Sequence, residues 1–211
     1  MKKVMIFMIL FLFFSMTIVF SAGLSLGGTI GGAIGWLSGS DWINTLNSIG
    51  GTNSIKLGFY WGIFINIELH EYISIRPEFL YSNQGGAYKY SYMGYIIDGT
   101  ITAKALEIPI FFNPKIHFSS GYLFLSVGPV LVFFLDDIKF KESGFGMTVE
   151  TGRSADNPIV FGFAAGIGYE YSFESGNFTF DLKYKKTLTE IFNNNSSFNS
   201  IGMQIGFSPK L

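Results

Sequence analysis

The chain contains no cysteine, and only 14% of its 211 residues are charged, well under the quarter usual for soluble domains. The first absence excludes disulfide scaffolds and thiolate metal centres. The second leaves too little charge to clothe a water-facing surface. Histidine is almost missing as well, with only His70 and His117. Neither an HExxH zinc pair nor a nucleophile elbow is expected, and the sequence points to no catalytic residue, metal or cofactor. Glycine clusters such as Gly27, Gly28, Gly31 and Gly32 have no GK[ST] after them, so they read as room for packing rather than a phosphate loop. No block of basic residues occurs, which makes nucleic acid an unsuitable partner.

What is present begins with a leader. Lys2 and Lys3 precede an apolar run from Val4 to Phe20, and Ser21, Ala22 and Gly23 follow it, the three-part layout of a signal peptide. Residues 1–21 are expected to be the signal peptide and 22–211 the mature domain; an uncleaved anchor is the alternative. With Lys2 and Lys3 set aside, 12 of the 14 basic residues remain against 15 acidic ones.

Beyond the leader the dominant signal has a period of two. Leu57, Phe59, Trp61, Ile63, Ile65, Ile67 and Leu69 share one parity, and Gly58, Tyr60, Gly62, Asn66 and Glu68 share the other. Such alternation belongs to a strand with two unlike faces. It recurs around 24–36, 73–82, 106–115, 123–133, 159–170, 178–185 and 201–207, giving eight strands. The connections alternate long, short, long, short, long, short, long. The long ones are expected at 37–53, 83–102, 136–157 and around Asn193, Asn194 and Asn195. The expected fold is therefore all-β, a transmembrane antiparallel up-and-down β-barrel of eight strands, with short periplasmic turns and four longer extracellular loops. Both ends would face the periplasm. A hairpin within Ile138 to Val149 would raise the count to ten, and Pro77, Pro109 and Pro129 are each expected to force a bulge or a strand boundary.

A soluble lipocalin-like barrel also alternates, with its apolar face inward. The other face decides between the two. Here it is mostly Gly, Ala, Ser and Thr with a few ions, a poor surface for water but a fitting interior for a narrow barrel. Trp36, Tyr72, Tyr81, Tyr122, Tyr171 and Tyr184 fall where interfacial girdles would lie. The location expected is the outer membrane, with its lipid and the barrel assembly machinery as partners.

Several segments together resemble the PorT-like outer-membrane β-barrel family, small barrels of the porin and OmpA-like type. They are Arg76, Pro77, Glu78, Phe79, Leu80, Tyr81 and Ser82 with Gly85; Leu106, Glu107, Ile108 and Pro109; Gly128 with Pro129; Gly166 to Glu170; and Asp181, Leu182, Lys183 and Tyr184. The resemblance implies a fold and no catalytic residues. One departure is the chain end, where Phe207 is followed by Ser208, Pro209, Lys210 and Leu211 rather than closing the sequence.

The role expected is structural, surface-recognition or secretion-associated, with a small-solute channel and then a lipid-modifying enzyme as alternatives. Lys56, Glu68, Arg76, Glu78, Glu107, Lys115, Glu170, Asp181 and Lys183 share the interior parity, as a structural ionic network or as part of a small-solute path. Arg76 should contact at least one of Glu78, Glu107 or Asp181. Tyr88, Tyr90, Tyr92 and Tyr95 around Lys89 suit recognition of an extracellular partner, or else simply extend a hairpin above the membrane. A lipid-modifying enzyme is least supported, because His70 and His117 fall in short connections away from the outer rim.

Overall fold

The computed structural model describes residues 23–191 and 196–210. The expected leader and the Asn193, Asn194, Asn195 run lie outside them. In chain order the elements are β1 (Gly23–Ser38), α1 (Ser40–Ser48), β2 (Thr52–Ser54), β3 (Lys56–His70), β4 (Ile73–Tyr92) and β5 (Tyr95–Phe118). After them come β6 (Gly121–Phe134), β7 (Ile138–Gly144), β8 (Met147–Arg153), β9 (Ile159–Ser172), β10 (Gly176–Thr187) and β11 (Ser197–Pro209).

Eight of these strands close on themselves in the order β1, β3, β4, β5, β6, β9, β10, β11, with antiparallel neighbours throughout. The seam joins the ends of the described chain, from Gly28 opposite Phe207 to Ser38 opposite Ser197. Closure removes every free edge from the spanning region, the condition for a sheet to cross lipid. The residues that share parity with Leu57 face outward, where Leu57, Trp61 and Ile63 keep more than half of their surface exposed; Phe64 and Asn66 on the other parity are buried. The exposed apolar wall is a lipid-facing wall. No helix among the described residues is long and apolar enough to cross a membrane.

At one end the ring strands meet in tight turns, at Glu71–Tyr72, at Ser119–Ser120 and at 173–175. At the other end the connections are longer, and here the structure departs from expectation. The segment 37–53 carries the helix α1 and the short β2, with Leu46 buried beneath the helix. Residues 83–102 are not a loop: β4 and β5 continue as one ladder to Tyr92 opposite Tyr95, closed by Met93 and Gly94. Both of those residues have positive φ, as do Phe145 and Gly146 between β7 and β8, the geometry of tight two-residue hairpin turns. The β7–β8 hairpin does form, but it pairs with β5 above the ring and the ring count stays at eight. Above the barrel mouth the same sheet thus continues in the order β2, β4, β5, β7, β8.

The prolines also behave differently from expectation. Pro77, Pro109 and Pro129 sit inside β4, β5 and β6, and the register is unchanged across each: Pro77 faces Ile110 and Leu80 faces Glu107 in one constant ladder. The ladder skips rungs beside Pro77 and Pro109 instead of shifting. The register shift in the β3–β4 ladder falls between Glu68 and His70, at the tight turn.

Candidate functional site

The lumen is filled from end to end, and its filling changes character along the axis. Nearest the tight turns, Lys115 Nζ on β5 reaches Glu68 Oε1 on β3 at 2.7 Å and Glu170 Oε1 on β9 at 3.9 Å. The next layer is a bar across the full width. Arg76 and Glu78 come from β4, Asp181 and Lys183 from β10, and those strands are four places apart in a ring of eight, directly opposite each other. Lys183 Nζ lies 2.9 Å from Glu78 Oε1 and 3.3 Å from Asp181 Oδ2, and Arg76 Nη1 lies 3.5 Å from Asp181 Oδ2. Arg76 Nε is 3.0 Å from Glu78 Oε1, close enough for an ion pair but off the line of a hydrogen bond. Gln204 on β11 completes the layer, accepting from Lys183 at 3.1 Å and donating to Glu78 at 3.3 Å. Above it Lys185 Nζ donates to both Glu107 oxygens, at 2.5 and 2.6 Å.

All four members of the bar are under 10% exposed. Charges so placed are tolerable only when paired, because an isolated ion in a low-dielectric interior would cost several kcal/mol. Aromatic faces help: the Arg76 guanidinium lies 3.9 Å from the Phe64 ring centre and the Lys183 ammonium 4.3 Å from that of Phe111. The glycines of the wall make room for such rings. A Cβ on Gly31 would stand 2.6 Å from the Tyr60 ring and one on Gly202 would stand 2.8 Å from its hydroxyl, so those strands accept Tyr60 only as glycine.

Of the residues singled out in the sequence, Arg76, Glu78, Asp181 and Lys183 come together in one layer, Glu68, Glu170 and Lys115 in another. Arg76 meets Glu78 and Asp181 but not Glu107, whose partner is Lys185. Lys56 lies near the mouth, donating to Asn83 at 3.4 Å. Lys185 and Gln204 were readable from parity alone, since they share the interior face with Asp181 and Gly202, yet only the fold says which carboxylate each meets.

The outer half of the lumen holds an apolar cluster beside the buried polar side chains of Ser82, Gln84, Thr187 and Ser200. Leu37, Ile101, Ala103, Ala105, Val130, Val132, Val160, Ala164 and Phe198 form one buried cluster, closed above by Leu46 of α1, Ile138 of β7 and Ile191. A cavity of about 40 Å³, room for a few waters, lies between it and the ionic layers against Tyr60, Leu80, Pro109 and Lys185. The signal for this plug was in the sequence: from Val130 to Phe134 and from Ile159 to Phe161 both parities are apolar, so both faces of those strands had to be dry.

The tyrosines are divided. Tyr88 is buried against Trp42 of α1, with ring centres 5.3 Å apart, and donates to Glu142 at 2.6 Å; Tyr90 stacks beside it. Burial first, then that hydrogen bond, holds the Tyr88 phenol above its ordinary pKa. Tyr92 and Tyr95 stand exposed at the hairpin tip. The two histidines lie at the tight-turn end against Tyr72 and Tyr122. The string Gly23-Leu24-Ser25-Leu26-Gly27 has the letters of GxSxG but lies inside β1, paired with β3, and makes no strand-to-helix elbow.

Aromatic pairs mark both rims of the lipid-facing wall. Trp36 and Tyr184 lie 6.4 Å apart and Trp61 and Tyr81 5.8 Å apart toward the mouth, with Tyr171 and Phe173 at 4.4 Å toward the tight turns. Aromatic residues at both rims are where the girdles of a bilayer-spanning barrel lie.

Comparison with known proteins agrees. The outer-membrane protein OprG of Pseudomonas aeruginosa is similar in fold, with a TM-score of 0.51 at 13% identity, over 89% of this chain and 96% of that one. The neisserial surface protein NspA matches with a TM-score of 0.46 at 12% identity, over 90% of this chain and 99% of that one. Ail, the attachment invasion locus protein of Yersinia pestis, gives 0.43 at 13% identity, over 87% and 97%. At 13% identity the likeness to OprG concerns the fold alone. No curated protein matches the chain. The family model described as outer membrane protein beta-barrel domain matches residues 15–193, and the chain therefore belongs to that family of the outer membrane.

Proposed function

We propose that this barrel is a non-conducting anchor that holds a protruding sheet at the cell surface for recognition, rather than an enzyme or an open pore. The observation that supports it most is the sequence of barriers in the lumen: two ionic layers, the Lys185–Glu107 pair and the apolar plug stand in series. An eight-stranded interior leaves no path around such a filling. Meanwhile β4 and β5 run on for nine residues past Asn83, roughly 30 Å at strand rise, beyond the lipid-facing wall. On this reading the lumen charges are structural, and the contact surface is the sheet with its tyrosines. Residues 1–21 serve as the leader, the assembly machinery inserts the mature chain, and the PorT-like motifs mark the narrower kinship. The refolded protein in a planar bilayer should show no unit conductance, while heat-modifiable gel migration reports a closed barrel; discrete steps in current would favour the small-solute channel.

A further inference from the structure

The two hairpin tips above the mouth carry no charge. Tyr90 to Ile97 and Ser143 to Val149 contain no acidic or basic residue, whereas Lys89, Asp98, Glu142 and Glu150 border them. The tips are neighbours, since Asp98 pairs with Ser143 and the Tyr95 and Phe145 ring centres are 4.4 Å apart. Their side chains are large, apolar and open to solvent: Met93 is 77% exposed, Met147 69% and Ile96 68%, with Tyr92, Tyr95 and Phe145 about half exposed. Just below them the Lys89–Asp98 ion pair, at 2.8 Å, sits on the outer face of the sheet.

We propose that these tips insert into the interfacial region of a second, apposed lipid bilayer. This inference rests on the surface-recognition reading and names its partner. The charge-free zone runs three residues from Asp98 to Tyr95, about 10 Å at strand rise, the depth to which interfacial elements bury apolar side chains. Tyrosine, phenylalanine and methionine above a charged collar suit the boundary between headgroups and acyl chains. The shape favours a fluid partner over a rigid one. Tyr92 and Tyr95 lie on the face continuous with the lumen, Ile96 lies on the opposite face, and Met93 forms the end. A protein surface would cover one side and leave the other wet, but lipid surrounds all three. The barrel's own lipid-facing wall ends near Asn83, roughly 30 Å back along the strands, which leaves the tips clear of it.

The absence of cysteine makes the test direct. Met93→Cys carries an environment-sensitive fluorophore on the full-length barrel in a nanodisc, and phosphatidylcholine vesicles with brominated acyl chains are added. The label at 93 should brighten and then be quenched by the bromolipid, unaffected by high salt, while a label at Lys139→Cys stays unchanged. Met93→Asp with Ile96→Asp, read with a label at Met147→Cys, should lower vesicle partitioning at least about tenfold, given the transfer energy of two apolar side chains. Gel migration confirms that each variant is a barrel. Unchanged emission at 93, or binding abolished by salt, overturns the proposal. Thiol labelling of the Met93→Cys variant on intact cells separates the two levels: reagent access with no lipid response removes only the bilayer partner, and no access removes the surface-recognition reading too.

Discussion

The two halves of the lumen solve one problem with opposite chemistry. Toward the tight turns the interior is held by the ion pairs Lys183–Glu78 and Arg76–Asp181, which cross it. Toward the mouth it is held by Ile101, Val132, Val160 and Phe198 in apolar contact. The apolar half gains from every methylene it buries. The ionic half gains little from its charges as such, since buried pairs roughly break even with hydrophobic side chains of equal volume, but it penalises any single loss heavily. The difference teaches that stability and exactness of register are separable here: opposite strands are keyed to each other by charge, and the fold is thickened by hydrocarbon.

The sharpest way to break this contrast is Glu78→Ala. It leaves Arg76 and Lys183 with Asp181 alone, and should cost about 4 kcal/mol in urea unfolding monitored by gel migration. Replacing Arg76, Glu78, Asp181 and Lys183 together by Met and Leu should recover most of that loss; a quadruple variant as unstable as Glu78→Ala would show the charges to be stabilising in themselves. Next comes Phe198→Ala in the apolar half, with an expected cost of about 3 kcal/mol by the same assay. Neither single variant should conduct in a planar bilayer, since each leaves the other barrier standing, and current through Phe198→Ala alone would mean that the ionic layers are no barrier. The smallest effect belongs to Lys139→Ala. Its partner Glu150 is 2.7 Å away, but both are open to water, so the thermal midpoint should not move measurably.

Much of the wall was legible because its chemistry repeats every two residues and lipid tolerates no exception on the outer face. Leu57 to Leu69 reads as a strand in any context. The region above the membrane was not legible in the same way. Gln84, Gly85 and Gly86 interrupt the pattern with small and polar residues, and nothing local says that β4 continues through them; the pairing partner that carries it on, Ala103 to Ile101, lies across the hairpin. The helix α1 was hidden for a related reason: Ser40 to Ser48 is a weak helix former with a single buried side chain, Leu46, and it forms where the mouth needs a cover. The prolines misled because a missing donor was equated with a broken strand. A closed ladder holds register across an empty rung when the rungs on either side are made. Parity gave the membership of the ionic layers, but Lys185 rather than Arg76 reaching Glu107 depends on the stagger of strands far apart in the chain.

The bar across the lumen has a bearing on how the molecule comes into being. Lys183 and Glu78 are separated by 105 positions and by half the circumference of the ring, and the seam between β1 and β11 joins the two ends of the described chain. An open, half-curled sheet cannot bring β4 and β10 face to face. Until the seam closes, Arg76 can meet only Glu78 and Lys183 only Asp181, each on its own strand, and the cross-lumen contacts of Lys183 with Glu78 and of Arg76 with Asp181 are missing. The bar is thus complete only in the ring whose first strand has met its last.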